Sequence, residues 1–385
     1  MILNERIGFE IELLAPTGAS RRTLADRVSR EQGGRVSRFF HTDSEPSLVP
    51  GMGHFWHLTP GFTVHDPAGA PLATLVDDIT LVDDLRRELP KPKAAVAAGR
   101  HAAGPRDGLD EHSYRILSDD GRLLRLVADH THPDTPFGRV LDDVAALFGT
   151  SVETVGTVRR LRDRAGASIA MATTLAAGRE RPCEIVTPPL SRDHEEALER
   201  LLRPARELGF TVPVEAAVHL HVDAAPYRSV PAFSNLVRLF GHWRDALHVA
   251  LDTNPACTRL QPLPPSLLEL VEAQDAVGLG EADRWSRLQT TAKATGLTKY
   301  FDVNLTALLV DRPPRDTVEV RILPSSVHAE EIVGRAAFVE ALLARCRMPD
   351  AFPRPTVSDP VAAAAELHDL AGFVSSTEKA QTWGR

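Results

Sequence analysis

The sequence is poor in the features that most often announce a function. Its 385 residues hold three cysteines, Cys183, Cys257 and Cys346, far apart and with no C-x-x-C. That spacing excludes a cysteine-based zinc module and a dense disulfide framework, and it suits reduced thiols in a cytoplasm. Lysine occurs only five times, so arginine supplies nearly all the positive charge. No apolar run reaches the length of a membrane span. The opening MILNERIGFEIELL has acidic residues inside its apolar stretch and does not read as a secretory signal. The formal net charge of −8 argues against binding nucleic acid through bulk charge. Glycine-rich phosphate loops of the Walker and dinucleotide types are missing, as are H-E-x-x-H and G-x-S-x-G. The expectation is a cytoplasmic protein with no nucleic-acid or membrane partner. If it uses a nucleotide, it must hold the phosphates without a glycine loop.

What is there is a chain of ordinary globular composition, 43% hydrophobic and 25% charged, long enough for a large core. Strand patterns alternate with helical ones and show no repeat, which predicts an α+β protein. Ser20 can cap a helix running to about Gln32, closed by Gly33 and Gly34. HTDSEPSLVPGMGHFWHLTPGFTVHDPAGAP reads as a long irregular stretch. Its His41, His54, His57 and His65 fit no tight metal pair and read as loop and surface histidines. TLVDDITLVDDLRREL reads as a strand leading into a short helix, and PKPKAAVAAGRHAAGPRDG as an exposed segment. DDGRLLRLVADH and FGRVLDDVAALFG read as helices, and VGTVRRLRDRAGASIAMATTL as a hairpin turning at DRAG. A helix is expected from Ser191 to about Leu208, another over PAFSNLVRLFGHWRDALHVAL and a third over HAEEIVGRAAFVEALLARC. KYFDVNLTALLV and DTVEVRIL read as strands. Residues 351–385 read as one helix and a polar tail.

Several strands share one anomaly. In IGFEIELL, Glu10 and Glu12 point to one face, roughly 7 Å apart, while Phe9, Ile11 and Leu13 take the other. In VHLHVD, His219, His221 and Asp223 share a face against Leu220 and Val222. In TVEVRI, Glu319 and Arg321 oppose Val318, Val320 and Ile322. In CEIV, Glu184 stands alone in an apolar strand. Any one of these is explained by a solvated strand face, a packed histidine pair or a cross-strand ion pair. Four in one chain suggest polar faces lining a common cleft. Carboxylates with one or two imidazoles suit a hard or borderline divalent cation, chiefly Mg2+ or Mn2+. An arginine two residues from a glutamate supplies a fixed cation for a phosphoryl group.

GFEIEL, DRAGASI, CEIVTPPL, HLHVDA, YFDVNLTAL and TVEVRILPSSVHAEEI, in this order, resemble the motifs of the amidoligase family. These are carboxylate–amine ligases related to glutamine synthetase and glutamate–cysteine ligase. The resemblance runs from residue 7 to about 345. It implies a curved, mainly antiparallel sheet forming a half-barrel, and an amide bond formed with ATP and Mg2+ (or Mn2+) through an acyl-phosphate. It implies Glu10, Glu12, Glu184, His219 and Glu319 as metal ligands, and His221 and Arg321 as phosphate contacts. Arg321 and Glu319 become the catalytic pair. Tyr300 and Asn304 match a further motif, Asn304 on the nucleotide side. The catalytic domain would cover residues 1–350. Residues from about 35 to 150 exceed the simple family pattern and would form an insertion, lid or substrate region. DRAGAS departs from the family's D-G-S turn, so Asp163 and Ser168 match loosely. The substrates would be a small-molecule or peptide carboxylate and an amine, and their identity is not written in these motifs, nor is the oligomeric state. Two other readings stay open. One is a Zn2+ hydrolase built on His219 and His221; the other is a non-catalytic ATP-binding protein.

Overall fold

A computed structural model describes residues 3–46, 53–78, 81, 114–175, 178–258, 260–273 and 280–382. The chain is α+β, with twelve strands among these residues paired in antiparallel ladders. Among the described residues no helix is long and apolar enough to cross a membrane. The chain forms two compact units. One holds residues up to Leu13, then Thr187–Arg206 and Val212 onward; the other holds Leu14–Val186 and Glu207–Thr211.

Strand β1 (Ile7–Leu14) opens the first unit. The chain then builds the second unit. Helix α1 (Arg21–Gln32) is capped by Ser20 and ended by Gly33 in the left-handed region, as the sequence predicts. Next come β2 (Arg35–Pro46), β3 (His54–His65), β4 (Pro71–Val76) and β5 (Tyr114–Ser118). Helices α2 (Gly121–His130) and α3 (Asp142–Leu147) follow. Strands β6 (Glu153–Val155), β7 (Val158–Arg162), β8 (Ser168–Thr174) and β9 (Pro182–Val186) complete the unit. The strand order is β9-β4-β3-β5-β8-β7-β6, with β2 on the other side of β3. Leu58, Tyr114, Ile116, Leu124, Val127 and Val144 are among the fully buried residues of its core.

The stretch expected to be irregular is in large part a hairpin. β2 and β3 pair in continuous register from Arg35 opposite His65 to Pro46 opposite His54. Glycine at residue 61 lets the Phe39 ring lie against the strand, because a Cβ there would lie 2.6 Å from that ring and displace it. His57 is buried rather than on the surface, 1% exposed. The turn at DRAG forms as expected: Asp163 Oδ1 accepts from the amides of Ala165 (2.9 Å) and Ala167 (2.8 Å). Of the strand–helix reading over TLVDDITLVDDLRREL, the strand forms as the end of β4, through Val76, and the expected helix and the PKPKAAVAAG segment lie outside the described residues.

Thr187 returns the chain to the first unit. Its N–H donates to Phe9 O at 2.9 Å, and its hydroxyl accepts from Phe9 N at 3.0 Å. Helix α4 (His194–Glu207) leads to β10 (Ala217–Asp223). The single helix expected from Pro231 is two, α5 (Val230–His242) and α6 (Arg244–Leu251), broken at Trp243. Helices α7 (Pro265–Glu272) and α8 (Glu281–Lys293) precede the two-residue strand β11 (Val303–Asn304). β12 (Thr317–Pro324), α9 (Ala329–Cys346) and α10 (Pro360–Thr382) close the chain. The order here is β11-β12-β10-β1.

The strand expected over KYFDVNLTALLV is cut short. Asn304 Oδ1 accepts from Thr306 N (3.1 Å) and from the Thr306 hydroxyl (2.6 Å). This side-chain turn competes with the ladder and bends the chain into a 3-10 turn at Thr306–Leu309.

Candidate metal centre

Every residue of β1 is buried, on both faces. Phe9, Ile11 and Leu13 are fully buried on the apolar side, each contributing about 2 kcal/mol by removal from water. Glu10 (8% exposed) and Glu12 (2%) occupy the other side. Neighbouring strands repeat the pattern, since Leu220, Val222, Val318, Val320 and Ile322 are buried between the polar positions. Carboxylates this deep need compensation. Strand register supplies it: His219 stands opposite Glu10, His221 opposite Gly8 and Glu319, and Asn304 opposite Glu319.

His219 lies among three carboxylates. Its Nδ1 is 3.2 Å from Glu10 Oε2 and 3.5 Å from Glu319 Oε1, and its Nε2 is 3.7 Å from Glu12 Oε1. Glu12 also has a structural task, because its Oε2 accepts the Ala217 N–H at 2.8 Å, where β10 begins. Glu319 Oε2 accepts from Asn304 Nδ2 at 2.9 Å, and the Arg321 guanidinium bonds its Oε1. Arg315, from the loop before β12, reaches Glu10 Oε1 at 2.5 Å.

These contacts decide the charge state. Burial alone would push the Glu10 carboxyl up, but His219 and His221 outweigh it and hold the group well below the usual carboxylate range. Burial likewise opposes ionisation of Glu319. The charges of Arg321, His219 and His221 overcome that and the repulsion of Glu10, and lower its pKa. Both glutamates are therefore anionic at neutral pH.

The donor set fits a divalent cation. Ligand atoms of Glu10, His221 and Glu319 all lie within 4.8 Å of one another. The Thr317 hydroxyl shares a hydrogen bond with His221 Nδ1 at 3.0 Å, which turns Nε2 toward Glu10. That Nε2 is buried, 3.2 Å from Glu10 Oε1, and has no aligned hydrogen bond. An imidazole nitrogen aimed between two carboxylates is a ready ligand position.

Within the first unit the fold thus brings together Glu10, Glu12, His219, His221, Asn304, Glu319 and Arg321. Tyr300, three residues before β11, is 42% exposed. Glu184 is a half-buried residue of β9 in the second unit, opposite Val76 of β4. Its neighbour Cys183 is fully buried, its thiol pushed up to about 12 by burial, and carries no thiolate chemistry. Asp163 is spent on its turn, and Ser168 pairs with Arg162.

Sequence reasoning missed Arg315, Thr317 and Asp302. The first two precede Glu319 by four and two residues, and their only sequence signal is nearness to that strand. Asp302, 1% exposed, accepts from Arg244 Nε at 2.7 Å and stands 3.1 Å from His248 Nε2. Its backbone oxygen accepts the Arg321 N–H at 3.0 Å, so it sets the strand position of that arginine.

A family model described as "Putative amidoligase enzyme" matches residues 3–343. Neither the comparison with curated proteins nor that with solved structures returns a match.

Proposed function

The chain belongs to the amidoligase family, and from that premise we propose that it joins a carboxylate to an amine at the expense of ATP, with Mg2+ or Mn2+ bound. The observation that carries this reading is the triad of buried Glu10 and Glu319 with half-buried His221, and Arg321 fixed beside it on the same strand face. A glutamine-synthetase-like half-barrel, with the 35–150 region as insertion or lid, belongs to the same reading.

In this reading Glu10, His221 and Glu319 would hold the cation, with His219 and Glu12 beside them. When bound, the cation supplies Lewis-acid neutralisation of phosphate charge. The protein's residues do the rest. Arg321, 14% exposed and anchored through Glu319, presents a preorganised cation to the transferring phosphoryl group. Asn304 orients the Glu319 carboxylate through Nδ2 and is itself locked by Thr306. The substrate carboxylate attacks the γ-phosphorus, ADP leaves, and the acyl-phosphate forms. The amine then attacks the acyl carbon, phosphate leaves, and the amine proton passes to a base. Positioning and electrostatics account for the catalysis.

Purified protein supplied with Mg2+, ATP and a panel of acids and amines should release ADP and phosphate with an amide. Carboxylate 18O should appear in the phosphate, which is the mark of an acyl-phosphate. Unchanged turnover in Glu319→Ala or Glu10→Ala would show that the chemistry lies elsewhere.

The zinc-hydrolase alternative draws less support. His219 is distributed over three carboxylates, and only one imidazole joins the triad of the first unit.

A further inference from the structure

The two arginines that touch the carboxylates are held in different ways. Arg321 is on the strand β12, largely buried, and paired with Glu319. Arg315 comes from the loop between the Thr306–Leu309 turn and β12, and its side chain is 63% exposed. It nevertheless places NH1 2.5 Å from Oε1 of Glu10, a carboxylate with only 8% exposure.

The loop is built for such a reach. Arg228 pins both of its feet. Its NH2 donates to Ala307 O (3.1 Å) and to Asp316 Oδ1 (2.5 Å), and its NH1 to Leu308 O and Val310 O (both 3.5 Å). Gln289 Nε2 donates to Leu308 O at 2.8 Å, and Ala224 N to Asp316 O at 3.2 Å. Between these anchors, Asp311, Arg312, Pro314 and Arg315 are exposed. The Arg315 side chain can therefore leave Glu10 while the feet stay in place.

The oxygen that Arg315 occupies is the one His221 Nε2 faces at 3.2 Å. A cation taken between Glu10 Oε1 and His221 Nε2 needs that oxygen. A guanidinium and a divalent cation on one oxygen repel each other strongly. Resting on the metal reading above, we propose that Arg315 is the removable counter-ion of the metal-free cradle, and that the divalent cation binds by displacing it from Glu10. Arg315 thereby sets the metal affinity. It holds the Glu10 carboxylate in place when metal is absent, and its side chain, 63% exposed, can turn into water when it leaves.

The test is a titration of the nucleotide-free protein with Mn2+, followed by the electron paramagnetic resonance signal of free Mn2+. Arg315→Gln removes the competitor, and Arg312→Gln removes the same charge from the same loop. Arg315→Gln should bind Mn2+ roughly threefold to tenfold more tightly than the wild type. Arg312→Gln should stay within about twofold, because its effect is only screened, long-range charge. Equal tightening in both variants would reduce the effect to loop charge and overturn the proposal. So would unchanged or weaker binding in Arg315→Gln while the wild type binds. If neither the wild type nor the variants bind Mn2+, the metal reading fails and takes this inference with it. Both variants alter an exposed loop, and matching thermal unfolding curves confirm that fold differences play no part.

Discussion

His219 on β10 stands directly across the ladder from Glu10 on β1, with its Nδ1 3.2 Å from Glu10 Oε2. This pairing places an imidazole beside a carboxylate that would otherwise be buried at a large cost in solvation. It links the fold to the proposed chemistry, because the same contact that makes Glu10 tolerable keeps it ionised.

Glu319→Gln tests the catalytic side of this arrangement. It keeps the size of the side chain and the partner Asn304, but removes the charge that pairs with Arg321 and that the proposed cation would share. Amide formation should fall by about 100-fold or more, with unchanged circular dichroism. Activity within a few-fold of wild type would remove Glu319 from the mechanism.

Acid stability follows from the lowered pKa values of Glu10 and Glu319. Each folded-state value is depressed, so in acid the unfolded chain binds more protons. The stability they contribute is complete above the ordinary value of 4.5 and is lost as pH falls through the folded-state values. Urea unfolding of the metal-free protein should weaken steeply below that value. Glu10→Gln should show a shallower acid limb, and parallel limbs would contradict the assignment.

Asn304→Ala removes both the hydrogen bond to Glu319 Oε2 and the turn that ends β11. Loss of such support to a metal-binding carboxylate typically weakens binding by about 10–100-fold. A Mn2+ titration should show that loss, and affinity equal to wild type would assign Asn304 to the turn alone.

Asp302→Ala leaves Arg244 and His248 without their shared carboxylate. The expected cost is about 3 kcal/mol in urea denaturation. A change below about 0.5 kcal/mol would place these contacts among the neutral ones.

Cys183, Cys257 and Cys346 are all buried, and burial pushes the Cys183 thiol up to about 12. The native protein should therefore react negligibly with a thiol reagent at pH 8 and expose three thiols on denaturation. A rapidly reacting thiol in the native state would contradict this packing.

The strands with ionisable faces were legible because strand alternation is local. Glu10 and Glu12, His219 and His221, and Glu319 and Arg321 each lie on strands where every second residue is buried and apolar. The hairpin β2–β3 was not legible. Its prolines, glycines and histidines read as loop, whereas long-range pairing and the fit of Gly61 against Phe39 outweigh those propensities. The short β11 was misread for the opposite reason: an apolar run suggests a strand, but one asparagine side chain redirects the backbone.

By itself, the sequence determined which side chains share a face, and therefore that Glu10, Glu12, His219, His221, Glu319 and Arg321 could meet. Only the tertiary structure decided who meets whom. Register placed His219 among three carboxylates and aimed His221 Nε2 at Glu10, and a pinned loop carried Arg315 to the same oxygen. The reason is physical. A strand's alternation is written in adjacent residues, while register and loop reach depend on contacts between residues far apart in the chain.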